Sequence, residues 1–465
     1  MKNRFYGLDN AKGVAILGMV LSHSFMGTIA NWNPDILFSF VKKVPIVLLI
    51  ILLAPITLLS QMGSMFSFIS SICVTLSFLN VSKKGWPIVW RYIMMKIVFA
   101  FLLRGIEIFW NTWTVDFDPF ESHKFQFPIV SIPFYGHTLD CIGFIGWTIP
   151  LVLYLIRLIP FLQDPRWQVI VLFALCILVS CFSRSLSTFF GIVEDWCKDH
   201  QLYLCQYLAS KASSGPFQTF QIWPFGLLGA CVGVLLHNGL KMKELLHFSY
   251  LVLVVCGIAG ILFVLQIDDF LTELFESFKP EGVMLIMMIV QLYFVIWFLH
   301  IFDNPNRPVM KRKIAMKHTC FLRRVNTLSL TAYVLEPLLS KKMYALFQIP
   351  FGPAISTEGK EFLWEWPAVA LYALCTTLVA VGIARLWEFA EFRGSIESQL
   401  GWMMQKIFNK RYDKLDYKTN IYGEFEEVPT EAPETVVVET VENVESVENV
   451  ENVENVVKDD KPVTS

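Results

Sequence analysis

Apolar residues recur along this chain in runs of about twenty, separated by shorter polar segments. A run of that length is what an α-helix needs to cross the hydrocarbon core of a bilayer. The runs fall at residues 11–30, 62–80, 88–109, 138–158, 168–190, 219–238, 247–266, 282–302, 327–347 and 365–388. A bilayer core offers no water to backbone amides, so these runs are read as helices. The expected fold is all-α, a polytopic transmembrane helix bundle of about 10 spans, or 11 if residues 44–60 also cross. That segment is apolar but short, and Pro45 and Pro55 interrupt it. A half-inserted or interfacial helix is favoured there, with Lys42 and Lys43 arguing weakly for a full crossing, which would move the N-terminus to the other side.

The polar connections differ in sign. Residues 303–326 carry Arg307, Lys311, Arg312, Lys313, Lys317, Arg323 and Arg324, and two short connections carry Lys83 with Lys84 and Lys241 with Lys243. Segments 110–137, 267–281 and 348–364 are acidic, with Asp116, Asp118, Glu121, Asp268, Asp269, Glu273, Glu358 and Glu361. The Lys/Arg bias places the basic segments and both termini in the cytoplasm. The chain is expected to be a multi-pass integral membrane protein, its membrane and organelle left open. From residue 412 the character changes. Val441-Glu442-Asn443-Val444-Glu445 and Val447-Glu448-Asn449 belong to an acidic repeat. Such composition cannot bury a core and is expected to be disordered. Two parts follow: a membrane domain over 1–411 and a low-complexity cytoplasmic tail over 412–465.

Composition narrows the function classes. Apolar residues make up 55% of the chain and the formal net charge is −2, so no global basic field for nucleic acid exists. The first span lacks a small-residue cleavage site, and Asp9 and Lys12 stand where the apolar core of a signal peptide would begin, so it is expected to remain in place. The ten cysteines show no CxxC and no paired CxxH pattern, so no metal site is expected. Cys73, Cys176, Cys256 and Cys375 lie inside apolar runs as small hydrophobes. Cys197 and Cys205 flank a polar segment and could pair as a disulfide if it faces outward.

Ionisable groups inside spans mark candidate sites, because they are costly there. The first span opens Leu8-Asp9-Asn10-Ala11-Lys12-Gly13 and ends near Ser22-His23. Lys12 and His23, eleven residues apart, share a helix face at about 16 Å. The ordinary alternative is a basic start to a span and a histidine packed on a neighbour. In the third span, Arg104 and Glu107 neutralise each other at i,i+3, whereas Arg91 and Lys96 could bind an anion such as a phosphate. Asp140 opens the fourth span, where a carboxylate is also favoured by the helix dipole. Glu336, within the ninth, needs a partner: His23, a cation, or its own proton. No phosphate-binding loop, HExxH or GxSxG motif is present.

Several segments in order resemble the integral-membrane acyltransferase superfamily, which includes acyltransferase family 3, the YeiB-like proteins and the heparan-alpha-glucosaminide N-acetyltransferases. Leu8 to Gly18 resembles its "LDxxRGxAIxG" first span, Gly63 to Leu76 its second, and Arg91 to Arg104 its basic third. Leu139-Asp140-Cys141-Ile142-Gly143 and Trp223 to Gly229 resemble two further helices. Ser329-Leu330-Thr331-Ala332-Tyr333 is similar to "SLTxY", and Gly394-Ser395-Ile396-Glu397 to a closing "GPxEW". The resemblance runs from about residue 5 to 405 and fits the YeiB-like branch best.

The resemblance implies transfer of an acyl group, usually acetyl, from cytoplasmic acyl-CoA to a glycan or other envelope or lumenal acceptor. The first-span arginine of the acyltransferase-3 branch and its essential histidine eleven residues on fall here on Lys12 and His23, a histidine that YeiB-like members often lack. Lys12, Arg91 and Lys96 would then hold the donor's phosphates. His23 would act as general base or carry the acyl group, oriented by Asp140 or Glu336. Acetyl-CoA or another acyl-CoA is the implied donor, with no metal. The partners are the lipid bilayer, acyl-CoA and the acceptor, without nucleic acid, and a homo-oligomer is left open. Two other classes stay open on the residues alone: a small-molecule transporter, and an inactive membrane scaffold of the same fold.

Overall fold

The computed structural model describes residues 4–29, 34–45, 47, 63–114, 138–213, 218–266, 281–356, 361–408 and 416–423. The segment 44–60, apart from its first residues, the acidic connections 115–137 and 267–280, and the repetitive tail from 424 lie outside them. Among the described residues the chain is helical, with one isolated β-bridge between Ile355 and Phe362. The helices are α1 (Tyr6–Ser22), continued by a π-helical turn (His23–Ile29), α2 (Pro34–Val41), α3 (Gly63–Ser82), α4 (Trp86–Thr114), α5 (Thr138–Arg157), α6 (Pro165–Asp199), α7 (Tyr203–Ser213) and α8 (Thr219–His237). They continue as α9 (Met242–Val264), α10 (Glu281–Phe302), α11 (Val309–His318), α12 (Cys320–Thr327), α13 (Ser329–Phe351), α14 (Trp366–Phe389), α15 (Ile396–Phe408) and α16 (Tyr417–Tyr422).

Nine of these helices are long and apolar enough to cross a membrane: α1 with its π-turn, α3, α4, α5, α6, α8, α9, α10 and α14. Each matches one of the expected runs. The remaining run, 327–347, is α13. It is 23 residues long, about 34 Å by helix rise, but it carries three charged residues, Glu336, Lys341 and Lys342, close together in its middle. The outward faces of α6 and α9 present Leu178, Phe182, Ile192, Val254, Ile258 and Leu262 uncovered. A face that apolar belongs in lipid. Trp86 stacks on Tyr154 at 4.5 Å, an aromatic pair of the kind that settles at the headgroup level.

Helix α8 forms the middle of one half, buried along nearly its whole length between α3 and α6. Small residues allow this. A Cβ at Gly229 would lie 2.3 Å from the Phe68 carbonyl oxygen, so only glycine permits the approach. Ser71 of α3 fills the contact by donating to the Gly226 carbonyl at 2.5 Å. In the other half α1 packs on α10, α12 and α14. Its closest approach is at Gly13, where a Cβ would meet the Leu322 carbonyl oxygen at 2.3 Å. The π-turn and α2 pack through Phe25, Ile29, Phe40, Phe362, Trp364 and Tyr372 against the α13–α14 connection. Helix α16, in the stretch where composition places the start of the tail, docks on α12.

Candidate functional site

The site is assembled around α1, and the N-terminus of that helix is held first. Asp303, just past α10, accepts from the backbone N–H of Tyr6 at 2.8 Å and of Gly7 at 2.6 Å, two of the donors a helix start leaves without intrahelical partners. Removal from water is the largest influence on this carboxyl and pushes it up to about 7, against the two N–H donors, which favour the charged form. Its ordinary value is 3.8, so between the two values the native protein holds a proton that the unfolded chain has released. The contribution of Asp303 to stability therefore falls as pH rises through that window and levels off above it. Asp303→Asn is expected to flatten the pH dependence of Tm between about pH 5 and 7. A slope identical to wild type overturns this assignment.

The next residues of α1 are tied to α12. Asp9 accepts from Arg4 at 2.7 Å and from Asn326 at 2.9 Å. The Asn10 amide donates to the Tyr6 carbonyl at 2.9 Å, and its oxygen accepts from Arg323 at 3.1 Å. Asp9 and Asn10 are thus anchoring residues. One turn on, Lys12 Nζ donates to Ser329 Oγ at 3.1 Å, at the start of α13.

Lys12 lines a cavity of about 270 Å³ with Phe66, Ser70, Phe99, Tyr333 and Glu397. Glu397, from α15, caps α13. Its carboxylate accepts from the N–H of Leu330 at 2.6 Å and Thr331 at 3.2 Å, and from Thr331 Oγ1 at 2.6 Å. The cavity lining thus combines Lys12 and Glu397 with mainly apolar side chains. Lys96 lies beside it, over the rings of Tyr92 and Phe99 at 5.5 and 5.9 Å. Arg91 is elsewhere: it is exposed and donates to the Phe408 carbonyl at the end of α15.

His23 sits where α1 changes from α to π register, a break that recurs at functional sites. Its Nδ1 lies 3.1 Å from Glu336 Oε2. The side chains are 32% and 4% exposed, so an accessible ring is backed by a buried carboxylate. Glu336 Oε1 accepts from Ser340 Oγ at 2.7 Å, and Ser340 Oγ meets Ser24 Oγ at 3.1 Å. Tyr372 OH donates to the Ser340 carbonyl at 2.9 Å, so α14 braces the arrangement. Glu336 also borders an apolar crevice of about 50 Å³ between α1, α13 and α14.

Of the two carboxylates that could orient His23, the structure brings Glu336 to it. Asp140 instead accepts from Arg104 at 2.8 Å and from Lys211 of α7 at 2.7 Å, and the same Arg104 nitrogen reaches Glu107 at 3.3 Å. Burial pulls the Lys211 ammonium below the ordinary lysine range, opposed by Asp140. The sequence-predicted residues thus fall into four places: His23 with Glu336, Lys12 with Lys96 near the cavity, Arg91 at the end of α15, and Asp140 in an ion cluster. Glu397 and Arg323 join the site without having been singled out by their chemistry. Glu397 lies in a motif-like segment, and Arg323 among loop cations, which gave the signal available for each.

Among the described residues no group of three or more His, Cys, Asp or Glu side chains is arranged to hold a metal. No family model matches the chain, and neither a curated protein nor a solved structure matches it.

Proposed function

We propose that this protein is a membrane-embedded acyltransferase that moves an acyl group, acetyl in the first instance, from acyl-CoA to a hydroxyl or amine acceptor such as a glycan. The observation that carries the reading is the His23–Glu336 pair, an accessible imidazole on a buried carboxylate inside a membrane bundle. Ionisable groups within spans are costly, which makes such a pair a candidate for function. In this reading Nδ1–H donates to Glu336, so proton transfer at His23 runs through Nε2. Nε2 takes the proton from the acceptor O–H or N–H as that atom bonds to the thioester carbonyl carbon. The carbonyl–sulfur bond then breaks, and His23 returns the proton to the departing CoA thiolate.

Lys12 serves the donor. It lines the cavity and stands about 16 Å below His23 along α1, a separation that an extended pantetheine arm bridges. As an ammonium it meets a phosphate as a point charge, without the bidentate fork of arginine. The Lys/Arg bias sets the end of the bundle carrying Val309–Thr327, and both termini, in the cytoplasm, where acyl-CoA is available.

The test is acetyl-CoA binding and turnover by the full-length protein in lipid nanodiscs. Wild type is expected to bind, and Lys12→Ala to weaken binding by about 10–100-fold, the worth of a hydrogen bond to a charged group, with helical content unchanged. If neither acetyl-CoA nor a longer acyl-CoA is bound or consumed by folded wild type, the reading falls.

A further inference from the structure

Cys197 and Cys205 take no part in the acyl-transfer reading. Cys197 lies in the last turn of α6 and is 2% exposed; Cys205 lies in the first turn of α7 and is exposed. On a continuous helix, residues eight apart are separated by about 12 Å. Here the chain reverses between them. Gln201 adopts a left-handed φ of 56°, and the Leu202 N–H donates to the Cys197 carbonyl at 2.9 Å. Helix α7 therefore folds back along α6, which brings Cys205 back towards Cys197, both of them free thiols in this structure. Cys176 and Cys231, by contrast, donate to the backbone carbonyls of Pro224 and Val169 inside the bundle.

The side of the membrane follows from the chain path. After Asp199 the chain passes through α8, α9 and α10 before it reaches the basic segment Val309–Thr327. Three crossings put the α6–α7 turn at the opposite end of the bundle. If the basic end is cytoplasmic, the thiol pair faces the compartment where disulfides persist.

We propose that Cys197 and Cys205 are joined by a disulfide in the mature protein, formed by exchange with an oxidised dithiol donor of that compartment. The exposed Cys205 thiolate attacks a sulfur of the donor disulfide, giving a mixed disulfide and one donor thiolate. The Cys197 thiolate then attacks the Cys205 sulfur and expels the second donor thiolate. The two cysteines lose two electrons and two protons, and the donor is recovered as its dithiol. The bond staples the start of α7, whose far end is held by Lys211 on Asp140. Helix α7 is thereby fixed at both ends over the Arg104–Asp140 cluster. This proposal stands independently of acyl transfer.

The test is peptide mapping of the full-length protein from cells quenched with N-ethylmaleimide before lysis, so that air oxidation contributes nothing. Trypsin cleaves after Lys198, between the two cysteines, so a bridge joins two separate peptides. The expected result is one unreduced species joining the Cys197 and Cys205 peptides, without maleimide on either, that separates on reduction. Reduction is also expected to lower the Tm of wild type and to leave a Cys197→Ser, Cys205→Ser double variant unmoved. Maleimide on both cysteines in the unreduced sample, or either one joined to a different cysteine, overturns the proposal.

Discussion

His23→Gln is expected to lower kcat for acyl transfer by about 10²–10⁴-fold, the range that a positioned general acid–base supplies, with little change in acyl-CoA affinity. Glutamine is the informative substitution because its amide can still donate to Glu336, keeping the buried carboxylate hydrogen-bonded. His23→Ala removes the Nδ1 donor and leaves Glu336 with Ser340, which donates at 2.7 Å. That variant mixes lost chemistry with an under-satisfied buried group, a penalty of about 1–3 kcal/mol. Glu336→Gln is expected to lower kcat as well, since it removes the charge that stabilises the imidazolium and fixes the tautomer. Lys12→Ala should act on KM instead, because Lys12 lines the cavity and does not touch His23. Steady-state kinetics separate these cases. Full turnover by His23→Gln would remove His23 from the mechanism, whatever the fate of Lys12.

The spans were legible because about twenty apolar residues in a row admit one structure in lipid. Helix α13 shows where that signal thins: Glu336, Lys341 and Lys342 lower its hydropathy, although the run was still recognisable. Glu336 could be named as a partner for His23 because a carboxylate inside a span needs one. The choice between Glu336 and Asp140 was not legible, since Arg104 and Lys211, which take Asp140, lie 36 and 71 residues from it in the chain. The π-turn left no mark either. It is a change of backbone register at His23, accompanied by contacts from Ser340 and Phe362 far along the chain. Arg323 was read with its neighbours as a sign of orientation, and nothing in a run of cations tells which one is buried. That depends on α12 meeting α1 and α16 together.

Arg323→Ala is expected to be the most destabilising single change at the basic end of the molecule. Arg323 is 1% exposed, among the largest fully buried side chains. Burial pushes its guanidinium down to about 10, so it remains charged at neutral pH. It donates to the Ile421 carbonyl at 2.7 Å, the Met316 carbonyl at 2.6 Å, and Asn10 Oδ1 and Thr319 Oγ1, each at 3.1 Å. One side chain thus joins α1, α11, α12 and α16. Alanine leaves the carbonyls and the Asn10 oxygen without this donor, at about 1–3 kcal/mol for each one that water does not reach, so roughly 3 kcal/mol or more is expected in all. Lysine keeps the charge but cannot span four acceptors from one nitrogen, and should recover only part of the loss. Undocking of α16 gives a second readout. Without Arg323 that helix is held by Arg4 on Asn420 and by Tyr422 on Glu388, so tryptic cleavage after Lys418 should accelerate before the rest of the protein unfolds. Since Asn10 lies half a turn from Lys12, the same variant is expected to raise KM for acyl-CoA while sparing the His23–Glu336 contact. A wild-type Tm together with an unchanged cleavage rate would show that Arg323 does not hold these helices together.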